Sequence, residues 1–226
     1  MNEEKTAAII VAAGKGERMG GEDKIFAPLG GKPVLAWAVA AFQRCQMIGR
    51  IVLVVGENDI ERAQKLAAEQ GWLKVTDICL GGKKRQQSVA AGLSRLKDCK
   101  WVVIHDGARP LVTVEMIIRG LEFAEESGSA IAAVPVTDTI KLADDDSFVM
   151  GTPPRQKLWA VQTPQVFRSD IISEAHRLAE GLATDDAALV ERAGYRVKLY
   201  MGSYDNIKIT TPGDLALAEI LLQGGK

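Results

Sequence analysis

The sequence predicts an α/β protein: a mostly parallel, twisted sheet flanked by helices, with a β-hairpin arm projecting from it. Three observations carry that reading. Short apolar, β-branched runs alternate with longer segments of helical period, which is the pattern of repeated βαβ units. The runs 51–55 and 101–104 are apolar almost without interruption, as interior parallel strands buried on both faces require. The rhythm then breaks over 137–154, where short alternating pieces, an Asp144-Asp145-Asp146 turn and a Pro153-Pro154 pair replace any helical period.

The elements follow in chain order. The apolar run TAAIIVAA (6–13) is the first strand, and the helical period over 33–45 returns the chain to a second strand, RIVLVV (50–55). A helix over 59–70, the strand KVTDICL (74–80), a helix over 85–96 and the strand WVVIHD (101–106) repeat the unit. AIAAVPV (130–136) leads into the arm, 137–157, and LWAVQTP (158–164) resumes the main body. Helices over 168–180 and 185–193, strands over 196–201 and 206–209, and a last helix over 212–222 complete the chain. Pro212 suits a first helical turn, where its missing N–H costs nothing, and Thr211 is the expected cap.

Composition narrows the possibilities. At 226 residues the chain can bury one substantial core, and a single domain over 1–226 is expected, with 137–157 as its arm. Lys and Arg total 28 against 29 Asp and Glu, so the net charge of -1 gives no global field for nucleic acid, and any anion site has to be built locally from a few placed cations. Cys45, Cys79 and Cys99 are odd in number and sit in or beside apolar stretches, which fits reduced packing residues in a cytoplasmic protein. The first residues resemble no targeting segment, and no run approaches the roughly 18 apolar residues of a membrane span, so no membrane partner is expected. A two-stranded ribbon alone in water is marginal, so the arm points to a homodimer in which it gains a partner surface.

The segment Gly14-Lys15-Gly16-Glu17-Arg18-Met19-Gly20 directly follows the first strand, where an open α/β sheet places its ligands. Small residues let backbone N–H groups approach an anion, and Lys15, Arg18 and the later Lys24 add charge that a plain turn does not need. Two common nucleotide motifs are excluded by spacing. The dinucleotide fingerprint needs Gly where Met19 stands, and the P-loop needs Lys and Ser or Thr where Glu22 and Asp23 stand.

A second constellation closes the strand 101–106: His105-Asp106-Gly107-Ala108-Arg109-Pro110. A carboxylate here can bridge a divalent cation to phosphate, and Arg109 can face a second anion. In Asp205-Asn206-Ile207-Lys208, Asp205 is a candidate second carboxylate, while Lys208, in an otherwise apolar strand, is expected to reach the open end of the sheet and a bound phosphate. His105 is assigned a structural role, because a phosphate nucleophile is already anionic, and His176 lies in a helical segment away from every motif. The residues by themselves describe a site for two phosphorylated ligands. They leave open which nucleotide and acceptor are used, and whether the chain is an enzyme or a nucleotide-binding module.

AAGKGERMG, the Gly81-Gly82 pair followed by Arg85 and Ser88, HDGARP, VTDTIK, LWAVQTPQ, ATDDA and DNIKIT together resemble the 2-C-methyl-D-erythritol 4-phosphate cytidylyltransferases of the non-mevalonate isoprenoid pathway. The likeness spans nearly the whole chain and implies a Rossmann-like nucleotidyltransferase fold. It implies that Ala12, Ala13, Gly14, Gly81, Gly82 and Ser88 contact the cytosine and ribose of CTP, with Gly16, Arg85 and Asp106 also at the nucleotide. Arg18, Lys24 and Lys208 are implied as the catalytic cations, the first two on the triphosphate and Lys208 on the α-phosphate. Asp106 and Asp205 are implied to organise magnesium, and Arg109, Thr139, Thr163 and Thr184 to line the acceptor's phosphate pocket. Arg155, at the end of the arm, is implied to reach the partner subunit's site. One departure is visible: Gly20-Gly21-Glu22-Asp23 lacks the proline that often precedes the lysine in this family.

Overall fold

The computed structural model describes residues 6–14 and 24–224. Four strands, β1 (Thr6–Ala12), β4 (Arg50–Val55), β5 (Val75–Leu80) and β6 (Trp101–Asp106), run parallel to one another. β7 (Ser129–Pro135) and β11 (Lys198–Met201) form a second parallel pair, and β10 (Trp159–Arg168) lies antiparallel between β6 and β7. The seven strands make one sheet in the order β11-β7-β10-β6-β1-β4-β5, the mostly parallel sheet that the sequence predicts.

Helices cover both faces: α1 (Val34–Arg44), α2 (Ile60–Glu69) and α4 (Val114–Ser127) on one, α3 (Arg85–Leu93), α5 (Ser169–Arg177) and α6 (Asp186–Arg192) on the other. Side chains alternate across a strand, so Ala8 and Ile10 of β1 pack with Phe42 of α1 and Ile117 of α4, while Ile9 packs with Val89 of α3 and Ile172 of α5. Both sets are fully buried, which is why β1 reads as an unbroken apolar run.

The order of the strands locates the site. The chain builds outward from β1 through β4 to β5, then returns to place β6 on the other side of β1. At such a reversal the connecting loops part on opposite faces and leave a crevice outside the carboxyl ends of the two strands. Here that crevice is bordered by Ala12 and Asp106, and the Gly107 N–H donates to the Val11 carbonyl at 2.8 Å to fasten its edge.

Some elements differ from the sequence reading. The stretch 206–209 is not a strand: its backbone is irregular, held by the Ile209 N–H on the Ala108 carbonyl at 2.8 Å and by the buried Asn206 side chain. β10 runs past LWAVQTP to Arg168. Helix α4 was not singled out, although Thr113 caps it by accepting from Met116 N–H and Gly128 ends it in the left-handed region at φ 80°. A short hairpin, β2 (Pro28–Leu29) with β3 (Lys32–Pro33), precedes α1. The final helix, α7 (Pro212–Gly224), begins as expected: Thr211 Oγ1 accepts from Asp214 N–H and Asp214 Oδ2 accepts from Thr211 N–H, a reciprocal cap. Within 137–157, β8 (Leu142–Ala143) pairs antiparallel with β9 (Val149–Gly151), and Phe148 and Met150 at its tip are each 72% exposed.

Candidate active site

Two cavities open at the crevice. The first, about 510 Å³, begins at the end of β1, where Ala12, Ala13 and Gly14 form its floor. Gly82 and Ser88, at the start of α3, supply another side, with the Gly82 N–H donating to Ser88 Oγ at 3.1 Å. Gly81 stands just outside, and a Cβ there would lie 2.4 Å from Ala13 Cβ and 2.7 Å from Ser88 Oγ, so only glycine lets these segments meet. Among the described residues, Lys24, Lys83, Lys84, Arg85 and Lys208 bring five cations to this cavity against one carboxylate, Asp106. In a chain of net charge -1 this is a locally built anion site. Lys83 and Lys84 escaped the sequence reading, although their run with Arg85 at a helix N-terminus, where the helix dipole disfavours cations, is a signal that could have found them.

Asp106 is the centre of the charge network. Arg85 Nε lies 3.1 Å from its Oδ1, Lys208 Nζ 2.9 Å and Arg109 Nε 3.6 Å from its Oδ2. Burial alone would raise the pKa of this carboxyl, but Arg85, then Lys208, then Arg109 outweigh it and hold the group well below the usual carboxylate range. His105 is buried beside it, with Nδ1 3.0 Å from Thr163 Oγ1 and Nε2 3.1 Å from the Arg109 carbonyl. Burial pushes this imidazole down to about 4, so the ring is neutral at pH 7 and acts as a brace, as the sequence reading holds. Thr163 Oγ1 also accepts from the Asp106 N–H at 3.0 Å and so ties β10 to β6.

The second cavity, about 420 Å³, shares Arg85, Asp106 and Lys208 with the first and adds Arg109, Thr163 and Thr184. Arg109 is oriented by Nη1 donating to the Asn206 carbonyl at 2.7 Å. Gln162, Gln165, Asp185 and Glu191 also line this cavity and escaped the sequence reading. Of these, Gln162 and Gln165 lie in the quoted LWAVQTPQ segment, and Asp185 in ATDDA.

The model of the 2-C-methyl-D-erythritol 4-phosphate cytidylyltransferase family matches residues 6–224. The chain belongs to that family. It is 54% identical to the 2-C-methyl-D-erythritol 4-phosphate cytidylyltransferase of Dehalococcoides mccartyi over 99% of this chain and 98% of the relative. Identity to the enzyme of the same name from Caldanaerobacter subterraneus is 48% over 96% and 98% of the two chains. Among solved structures, the 4-diphosphocytidyl-2C-methyl-D-erythritol synthase of Anaerococcus prevotii superposes with a TM-score of 0.85 at 31% identity, covering 96% of this chain and 98% of that one. The cytidylyltransferase of Thermus thermophilus does so with a TM-score of 0.78 at 33% identity, covering 95% and 98%.

As a member of the cytidylyltransferase family the chain is an enzyme, a nucleotidyltransferase, and its expected site residues fall into three groups. Ala12, Ala13, Gly14, Lys24, Gly82, Arg85, Ser88, Asp106, Arg109, Thr163, Thr184 and Lys208 line one or both cavities, with Gly81 beside the first. Asp205, Thr139 and Arg155 line neither: Asp205 is exposed on the loop ahead of Lys208, Thr139 is exposed at the root of the hairpin, and Arg155 donates to the Thr137 carbonyl at 2.6 Å. Gly16 and Arg18 lie outside the described residues.

Magnesium takes one or two carboxylates together with phosphate oxygens and water. Asp106 fits that role, being ionised and placed where the two cavities meet. No group of three His, Cys, Asp or Glu side chains able to hold a metal occurs among the described residues.

Proposed function

We propose that this chain transfers CMP from CTP to 2-C-methyl-D-erythritol 4-phosphate, giving 4-diphosphocytidyl-2-C-methyl-D-erythritol and pyrophosphate, in a magnesium-dependent reaction. The observation that carries the reading is the shared wall: Arg85, Asp106 and Lys208 border both cavities, so two phosphorylated ligands would meet across them.

The acceptor's phosphate oxygen attacks the α-phosphorus of CTP in line. A new P–O bond forms, the bond from the α-phosphorus to the bridging oxygen breaks, and pyrophosphate leaves with that electron pair. The nucleophile is already an anion, so no base is needed, which agrees with His105 being buried, neutral and committed at both nitrogens. The obstacle is charge, because two anions must approach each other. Lys24 and Arg18 hold the triphosphate, Lys208 serves the α-phosphate from the shared wall, and Arg109 with Thr163 and Thr184 receives the acceptor. Asp106, joined by Asp205, would hold magnesium, which when bound neutralises phosphate charge. The small residues Ala12, Ala13, Gly14, Gly81 and Gly82 with Ser88 leave room for the cytosine and ribose close to the backbone.

Thr139 and Arg155 take their place in this reading through a homodimer in which the hairpin reaches the partner subunit's site. The exposed Leu142, Phe148, Val149 and Met150 support it, since a ribbon this apolar gains by being covered. A cytoplasmic setting accords with the free thiols Cys45, Cys79 and Cys99.

The test is pyrophosphate release with each of CTP, UTP, ATP and GTP, with and without the acceptor, and with EDTA. Release confined to CTP with the acceptor and abolished by EDTA is the expected result. Release with another nucleotide or acceptor would make the chain a nucleotidyltransferase of different specificity, and no release would overturn the proposed transfer.

A further inference from the structure

The network around Asp106 continues past Arg85. Asp186, the first residue of α6, is 1% exposed and receives Arg85 Nη1 on Oδ2 at 2.5 Å. Its other oxygen, Oδ1, faces Nε2 of His176, on α5, at 3.1 Å. A line of side chains therefore runs from His176 through Asp186 and Arg85 to Asp106 at the shared wall. Along the chain His176 reads as a surface or packing residue of a helix, because nothing in its sequence surroundings shows what folding brings to it.

A buried carboxylate requires donors, and their directions fix its rotation. With His176 on Oδ1, Oδ2 of Asp186 is aimed at the guanidinium. Arg85 in turn has Nε on Asp106 and Nη1 on Asp186, while Nη2 has no hydrogen-bond partner among the described residues. A planar guanidinium held at two nitrogens presents the third in one direction. His176 itself lines neither cavity; its hydrogen-bonded route to the shared wall runs through Asp186 and Arg85.

We infer that His176, acting through Asp186, is a positioning residue that sets the Arg85 guanidinium at the wall between the two cavities, for a phosphorylated ligand. The inference rests on the proposed function for the identity of that ligand, and on the geometry alone for the positioning. A residue that only packed α5 against α6 would change stability and leave substrate recognition alone.

The experiment is a double-mutant cycle in the full-length protein with His176→Leu and Arg85→Ala, read as KM and kcat for pyrophosphate release from CTP and the acceptor. Melting temperatures are measured alongside, and His176→Gln serves as the conservative variant. Loss of an aimed charge-assisted hydrogen bond is expected to raise KM about tenfold in His176→Leu, with a smaller change in kcat. Glutamine, whose amide N–H can reach the same carboxylate oxygen, should recover most of that loss. In the Arg85→Ala background, His176→Leu should add nothing, since its route to the ligand is gone. Unchanged KM in His176→Leu, no recovery by glutamine, or an effect that persists undiminished without Arg85 would each overturn the inference. Wild-type protein that released no pyrophosphate would instead overturn the function, and the same cycle read as Kd for CTP by calorimetry would then decide the positioning.

Discussion

Lys208 Nζ lies 2.9 Å from Asp106 Oδ2, joining the loop ahead of the last helix to the carboxyl end of β6. The pair belongs to both cavities, and Asp106 keeps Arg85 and Arg109 when the lysine is removed. Lys208→Ala should therefore fold, and should lose on the order of 100-fold in turnover, as is usual when one preorganised electrostatic contact is deleted from a site of this kind. Lys24→Ala should behave alike. Circular dichroism together with steady-state pyrophosphate release checks both, and near wild-type turnover in either would remove that lysine from the chemistry.

His105 gives the protein a pH-dependent component of stability. Its folded value of about 4 lies below the ordinary 6.5, so between these pH values the unfolded chain binds a proton that the folded protein excludes. The contribution is complete above pH 6.5 and is lost as the pH falls toward 4. Urea midpoints at pH 7 and pH 5 should converge in His105→Gln relative to the wild type. An equal drop in both proteins would show that other groups govern the window.

Asn206 is the fastener of the Lys208 loop. Its Nδ2 donates to the Thr163 carbonyl at 2.8 Å and to Gln162 Oε1 at 3.3 Å, and its main-chain carbonyl receives Arg109. Asn206→Ala should cost about 1–3 kcal/mol in stability, because buried acceptors lose their donor. It should also cost turnover, because the loop that carries Lys208 loses its anchor. Denaturant unfolding and kinetics on the same preparation test both halves, and a variant that lost stability with full turnover at 25 °C would mean that the loop is held by other bonds.

Gly81→Ala tests the close approach beside the first cavity. The new methyl would meet Ala13 Cβ at 2.4 Å and Ser88 Oγ at 2.7 Å, so the floor and side of the first cavity would have to part. Overpacking of this kind costs about 1–3 kcal/mol, and KM for CTP should rise more than KM for the acceptor. A variant with unchanged KM for CTP would detach this contact from nucleotide binding.

The sheet was legible because β1, β4 and β6 are buried on both faces, which leaves an apolar run as their signature. The stretch 206–209 misled because Ile207 and Ile209 alternate with polar residues like a strand, whereas the fold is set by Asn206 reaching β10, a contact no local pattern encodes. The charged centre was legible in part: Asp106 and Arg109 sit within one short motif, and Lys208 stands out in an apolar setting. Asp186 and His176 were not, since a buried carboxylate and its donor look like ordinary helix residues until α5 and α6 pack.

A wall with two faces cannot serve one ligand without informing the other. Arg85, Asp106 and Lys208 divide a fixed set of charges and hydrogen-bond directions between the cavities, so a ligand that draws one of them toward itself alters what the opposite side offers. Thermodynamic linkage makes that influence equal in both directions: whatever factor nucleotide binding confers on acceptor affinity, acceptor binding returns to the nucleotide. Were the two substrates to occupy the two cavities as proposed, any cooperation between them would have these three side chains as its shortest route.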